Sequence, residues 1–118
     1  HLHREAPAIL KRSGLYYLIT SGCTGWEPNE AQVATAPTVF GPWQMCGNPC
    51  IGPDADKTFL AQSTFVLPLP DKPDAFIFMA DRWKKQDLRA SSYVWLPIHF
   101  ENDTLVIQWQ DEWSLSDL

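Results

Sequence analysis

What most constrains this chain is its punctuation. Ten prolines and six glycines are scattered through 118 residues, and between them lie short runs rich in Val, Ile, Thr, Tyr, Phe and Trp, the pattern of strands joined by turns. No stretch is both long enough and free enough of breakers to predict a helix, so the fold class is all-β. Residues 3–22 show the unit most clearly. A strand runs into a tight Ser13-Gly14 turn and returns through Leu15-Tyr16-Tyr17-Leu18-Ile19-Thr20, the arrangement of a β-hairpin. A third strand is predicted over residues 31–36, and residues 46–57 hold two Pro, two Gly and two Asp without periodicity, so they read as a connection. A second set of strands follows over residues 63–68, 75–83, 93–100 and 104–109. The turns between them are carried by Pro70-Asp71-Lys72-Pro73-Asp74, by a polar loop over residues 84–92, and by Glu101-Asn102-Asp103. The run over residues 75–83 is apolar enough for burial on both faces. An acidic tail, residues 110–118, is expected to wrap or dangle.

The formal net charge is −5, which argues against nucleic acid, since phosphate binding needs a basic surface. Neutral sugars impose no such demand. No apolar run approaches the ~18 residues needed to span a bilayer, and the first residues lack the charged-then-apolar order of a signal peptide. Cys23, Cys46 and Cys50 are odd in number and match no closed zinc site. A Cys46–Cys50 disulfide would close a small loop, and three unpaired buried thiols are the competing reading. None of His1, His3 or His99 is spaced to act as a base for Cys23. Asp54 and Asp56 lack the Gly and distal Glu of a calcium loop, so no metal and no cofactor is expected. His99, on an apolar strand, reads as a hydrogen-bonded core residue.

Among polar residues, Glu5 stands just before Pro7, whose missing N–H and fixed φ favour a strand start over a strand middle. Its carboxyl therefore belongs at an edge or opening, where it is either a catalytic acid or an ordinary solvated group. The loop over residues 21–29 displays Thr24, Trp26 and Asn29 among Gly22, Gly25 and Pro28. Trp26 can offer a flat apolar face to a sugar ring or pack in the core, and Thr24 and Asn29 can bond hydroxyls. Asp81 and Arg82 close the long apolar strand. They form either a structural ion pair or, through Arg82, a bidentate grip on sugar hydroxyls or on Glu5.

Glu5-Ala6-Pro7, followed by Ile9-Leu10-Lys11-Arg12-Ser13-Gly14-Leu15-Tyr16-Tyr17-Leu18-Ile19-Thr20-Ser21, resembles the fourth-blade motif of glycoside hydrolase family 43. Members of that family are five-bladed β-propellers that cleave arabinan, xylan and galactan. Residues 21–29 and 58–66 are similar to its exo-β-1,3-galactanase branch, Gly41-Pro42-Trp43 resembles the turn before the family's outer strand, and the similarity extends over nearly all of the chain. The resemblance implies about two four-stranded antiparallel blades of the five, a fourth-blade-like part over residues 1–53 and a fifth-blade-like part over residues 54–118, because blades run roughly 40–50 residues. Trp43 then packs within a blade.

The resemblance further implies that Glu5 is the general acid of an inverting glycosidase. Such an enzyme holds acid and base about 6.5–9.5 Å apart with a water between. The family's base and its modulating Asp belong to blades upstream of this chain. Many members carry an axial His where this sequence has Gln62. In the galactanase-like branch that Gln is implied to hold the attacking water, although a neutral amide is a poor proton acceptor, and Gln62 as a structural amide stays open. Gln62 joins Glu5 as a candidate catalytic residue, and Thr24, Trp26 and Arg82 are candidate sugar contacts. Expected partners are an oligo- or polysaccharide and the missing blades, with no nucleic acid and no membrane, in a secreted or periplasmic protein. An arabinofuranosidase or β-xylosidase of the same family, and a non-catalytic carbohydrate-binding module, are the alternative functions. Alone, the chain is expected to be inactive and to self-associate through uncovered strand edges.

Overall fold

The computed structural model describes residues 3–118. The first sheet has four antiparallel strands in sequential order: β1 (Arg4–Arg12), β2 (Leu15–Gly22), β3 (Gln32–Ala36) and β4 (Gln44–Gly47). Ser13 and Gly14 turn β1 into β2, both with positive φ, as a two-residue turn matched to right-handed strand twist requires. The ladder runs from Arg12 opposite Leu15 to Arg4 opposite Gly22, broken by a bulge between Glu5 and Ala8. Pro7 lies in that bulge, where its missing N–H removes no ladder bond.

The second sheet departs from the four-strand expectation. The segment read as a bare connection contains β5 (Cys50–Ile51), which pairs in parallel with β9 (Thr104–Gln108). The order becomes β5, β9, β8 (Ser92–Glu101), β7 (Phe76–Arg82), β6 (Gln62–Pro68), with β6 to β9 antiparallel. Asn102 and Asp103, again with positive φ, turn β8 into β9. No α-helix forms among the described residues. Three short 3₁₀ segments do, Ala55–Leu60, Leu88–Ala90 and Leu115–Asp117. The tail wraps: Trp113 Nε1 donates to the Trp95 carbonyl at 2.8 Å, and Lys72 Nζ donates to the carbonyls of Leu115 and Leu118.

The core lies between the sheets. Alternation along each strand turns Ala8, Leu10, Tyr17, Ile19 and Val33 of the first sheet toward Val66, Phe78, Ala80, Leu96 and Ile107 of the second. In β7 the consecutive residues Phe76, Ile77 and Phe78 are all buried, as its apolar run predicts. The opposite faces carry apolar rows as well. Ile9, Leu18, Ala34 and Met45 are cross-strand neighbours in the first sheet, and Phe65, Met79 and Trp95 in the second. Ile9, Met45, Phe65 and Trp95 are exposed.

The sheets meet along their edge strands, with β1 lying against β6. This seam sets the site. The bulge turns the Ala6 carbonyl toward the second sheet, where Ser63 Oγ donates to it at 2.6 Å.

Candidate functional site

The seam brings together two residues far apart in sequence. Gln62 Nε2 donates to Glu5 Oε1 at 3.0 Å and to the hydroxyl of buried Ser21 at 2.7 Å. The amide nitrogen faces the Glu5 oxygen, so the amide carbonyl points elsewhere. Both amide hydrogens are then engaged, and Gln62 Oε1 is the acceptor left for a ligand. Ser21 sits opposite Glu5 in the β1–β2 ladder, which explains how one amide reaches both.

Two adjoining cavities open beside this pair. The deeper, about 250 Å³, is lined by Ser21, Trp26, Asn29, Gln62, Asp81 and Trp83 among others. The shallower, about 760 Å³, adds Glu5, Leu88 and Tyr93. Trp26 and Trp83 meet edge to face at the shared boundary, with ring centroids 5.5 Å apart and planes at 76°, and each is close to half exposed. Two indoles at nearly a right angle form a corner that can pack the apolar face of a sugar.

The other expected contacts have local partners. Thr24 Oγ1 donates to the Glu27 carbonyl and accepts from Asn29 Nδ2, both at 2.6 Å. Asn29 also brackets Gly22, accepting from its N–H at 2.7 Å and donating to its carbonyl at 3.0 Å. These bonds close the loop that carries Trp26, and Thr24 does not line either cavity. Arg82 lines the deeper cavity, yet its Nε and Nη2 both donate to the Phe59 carbonyl, at 3.1 and 2.6 Å. It grips backbone, with no hydrogen bond to Glu5 and no ion pair with Asp81 among the described residues. Asp81 instead faces both cavities. His99 lines a separate shallow depression with Arg12 and Asp74.

None of the three cysteines is paired. Cys50 alone is buried, and burial pushes its thiol up to about 12. Cys23, exposed, is shifted upward by desolvation and then by the neighbouring Glu5 carboxylate. Among the described residues no three metal-ligating side chains converge.

Solved structures share this arrangement of sheets. The family 43 β-1,3-galactosidase BT3683, solved with galactodeoxynojirimycin, superposes with a TM-score of 0.91 at 52% identity, over 96% of this chain and 33% of its own. The chain belongs to glycoside hydrolase family 43. A second family 43 β-1,3-galactosidase, BT0265, gives a TM-score of 0.92 at 38% identity over 97% of this chain and 24% of its own. The exo-β-1,3-galactanase 1,3Gal43A of Clostridium thermocellum gives 0.76 at 39% identity over 88% and 23%. The chain thus spans a third or less of the length of these family 43 relatives. No family model matches the sequence, and no curated protein matches it.

Ser21, Trp83 and Tyr93 are the cavity residues that sequence reasoning missed. Tyr93 and Trp83 read there only as strand-end aromatics, and Ser21 as the start of a loop. The signal that finds them is strand register, which sets Ser21 opposite Glu5 and Tyr93 opposite Asp81.

Proposed function

We propose that this chain supplies the acid-bearing side of the active site in an enzyme that hydrolyses β-1,3-galactan with inversion, as about two blades of a five-bladed propeller. The observation that carries the reading is the 3.0 Å contact between Glu5 and Gln62 beside an aromatic-walled cavity. Glu5 donates its proton to the glycosidic oxygen as the bond to the leaving sugar breaks. A water attacks the anomeric carbon from the opposite side, and its proton passes to a base carried outside these residues.

Gln62 is the positioning residue. Its amide fixes the Glu5 carboxyl from one side while Ser21 fixes the amide. Hydrogen-bond contact with the acid is far shorter than the ~6.5–9.5 Å that separates the two groups flanking the bond. Gln62 therefore works first through Glu5, and its carbonyl is the part available to a water or hydroxyl. The uncovered apolar rows through Ile9 and Met45 and through Phe65 and Trp95 are faces for neighbouring blades. On its own the chain is expected to be inactive and to associate through them.

The test uses the full-length polypeptide. Glu5→Gln should abolish galactose release from β-1,3-galactan while galactan binding persists, and Gln62→Leu should lower kcat about 10- to 100-fold, the range of a lost charged hydrogen bond, with KM nearly unchanged. Proton NMR should show α-galactose as the first product. Wild-type turnover by Glu5→Gln, or release of arabinose or xylose in preference to galactose, overturns the assignment. Binding without hydrolysis by the wild-type protein would make it a binding module.

A further inference from the structure

The contact between Glu5 and Gln62 is held from behind by a closed circuit of hydrogen bonds that crosses the seam twice. The first crossing is at Thr58, a buried residue four positions before Gln62, whose hydroxyl donates to the Asn29 carbonyl at 2.7 Å. The Asn29 side chain carries the circuit on to Gly22, accepting from its N–H at 2.7 Å and donating to its carbonyl at 3.0 Å. That same carbonyl accepts from Ser21 Oγ at 3.2 Å, and Ser21 Oγ accepts from Gln62 Nε2 at 2.7 Å, which is the second crossing. Between Thr58 and Gln62 the chain closes on itself through the Ala61 N–H, which donates to the Thr58 carbonyl at 3.1 Å. A Cβ added to Gly22 would stand 3.3 Å from Asn29 Oδ1, so the bare backbone at this position lets the amide sit this close.

The circuit decides which end of the Gln62 amide meets the acid. A hydroxyl carries a single proton, and that of Ser21 is committed to the Gly22 carbonyl, so Ser21 offers Gln62 a lone pair and binds its nitrogen end. Asn29 brackets Gly22 and so fixes the direction of the carbonyl to which Ser21 donates, and Thr58 fixes Asn29. The orientation matters when Glu5 is protonated, the state in which a general acid works. With the amide nitrogen toward it, the carboxyl accepts through one oxygen and its O–H stays free for the glycosidic oxygen. With the amide turned over, Gln62 Oε1 would accept that O–H and hold the proton away from the substrate. We propose that Thr58 and Asn29 are positioning residues for the hydrolysis, acting through Ser21 to keep Gln62 nitrogen-first against Glu5. This inference rests on the reading of Glu5 as the acid. Asn29 thereby works as a brace for the acid, a task its residue type does not announce.

The test compares two substrates in the full-length protein. β-1,3-Galactan has a poor leaving group that needs the acid, whereas the phenolate of a dinitrophenyl β-galactoside departs without protonation. Glu5→Gln should abolish turnover of galactan and spare the aryl galactoside. Thr58→Val keeps the shape of the side chain and removes its hydroxyl. It should lower kcat on galactan about 3- to 10-fold, the size of a lost neutral hydrogen bond, with KM nearly unchanged. The aryl galactoside should change by less than about twofold, since its departure does not draw on the acid, and Thr58→Ser should restore galactan turnover. Asn29→Asp, which sets an oxygen against the Gly22 carbonyl, should show the same split more strongly. A crystal structure of the Thr58→Val protein should show the Gln62 amide turned over or withdrawn from Glu5. Equal losses on both substrates, or a Glu5–Gln62 contact unchanged at 3.0 Å, overturn the positioning role while Glu5 keeps its own. If Glu5→Gln slows both substrates alike, the acid assignment falls and this inference with it.

Discussion

Replacing Arg82 by Leu should destabilise the protein, and the structure allows the size to be worked out. Residues Thr58, Phe59 and Leu60 run consecutively in the left-handed region, with φ of 52°, 59° and 61°. At roughly 1–2 kcal/mol for each non-glycine residue so placed, the turn costs about 3–6 kcal/mol. Burying the Phe59 side chain, which is 1% exposed, offsets about 1.5–3 kcal/mol. The bond from Thr58 Oγ1 to the Asn29 carbonyl at 2.7 Å contributes about 1 kcal/mol. The remainder, about 0.5–2 kcal/mol, reaches the lower part of the range expected of charged hydrogen bonds, here those from Arg82 to the Phe59 carbonyl. Arg82→Leu should therefore lower Tm by about 1–8 °C in differential scanning fluorimetry of the full-length protein, at about 2–4 °C per kcal/mol. Because Phe59 lies three residues before Gln62, kcat should fall with it. Arg82→Lys should recover only part of the loss, since a point charge cannot reproduce the paired N–H geometry. An unchanged Tm with a several-fold rise in the KM for galactan would refute this reasoning and return Arg82 to the role of a sugar contact.

Two further outcomes are expected. In the native protein at pH 8, iodoacetamide should leave Cys50 unmodified, because burial holds its thiol neutral up to about pH 12; Cys23 should react faster in Glu5→Gln, which removes the carboxylate that helps raise its pKa, and equal rates would show that the two groups do not face each other. Tyr17 is buried with its hydroxyl donating to the Asp103 carbonyl at 3.0 Å, so Tyr17→Phe should cost about 1 kcal/mol in urea unfolding at pH 7. Burial, and next the Asp103 charge, raise the folded pKa of Tyr17 above the ordinary 10.0. Its stabilisation is therefore complete below that value and is lost as pH climbs through it, so the variant should show a shallower alkaline decline, and an identical decline would count against the assignment.

The hairpins were legible because the turns carry their own chemistry. Ser13-Gly14 and Asn102-Asp103 tolerate positive φ, and the flanking runs are rich in β-formers. The two-residue strand at Cys50 and Ile51 was not, since a parallel pairing with β9 leaves no local period to read. Nor was the left-handed turn at 58–60, made of residues that prefer extended backbone. At the site, Glu5 and its proline were visible through the motif. The contact with Gln62 depends on how two edge strands pack, which sequence spacing does not encode. Thr24 and Asn29 show a different limit. Hydroxyl and amide groups that can bind a sugar can equally close a loop, and here they bond one another.

Among the described residues no strand pairing joins the first sheet to the second, so Glu5 and the amide that bonds it ride on separate plates joined by interleaved hydrocarbon and by side-chain bonds such as that from Ser63 to the Ala6 carbonyl. Alignment of the pair thus depends on side-chain fit in that layer as well as on the bonds across the seam. Trimming Ile19 or Phe78 would let the plates slide, and a volume change a full strand away would be felt as a shifted Glu5–Gln62 contact while each sheet kept its own hydrogen bonds.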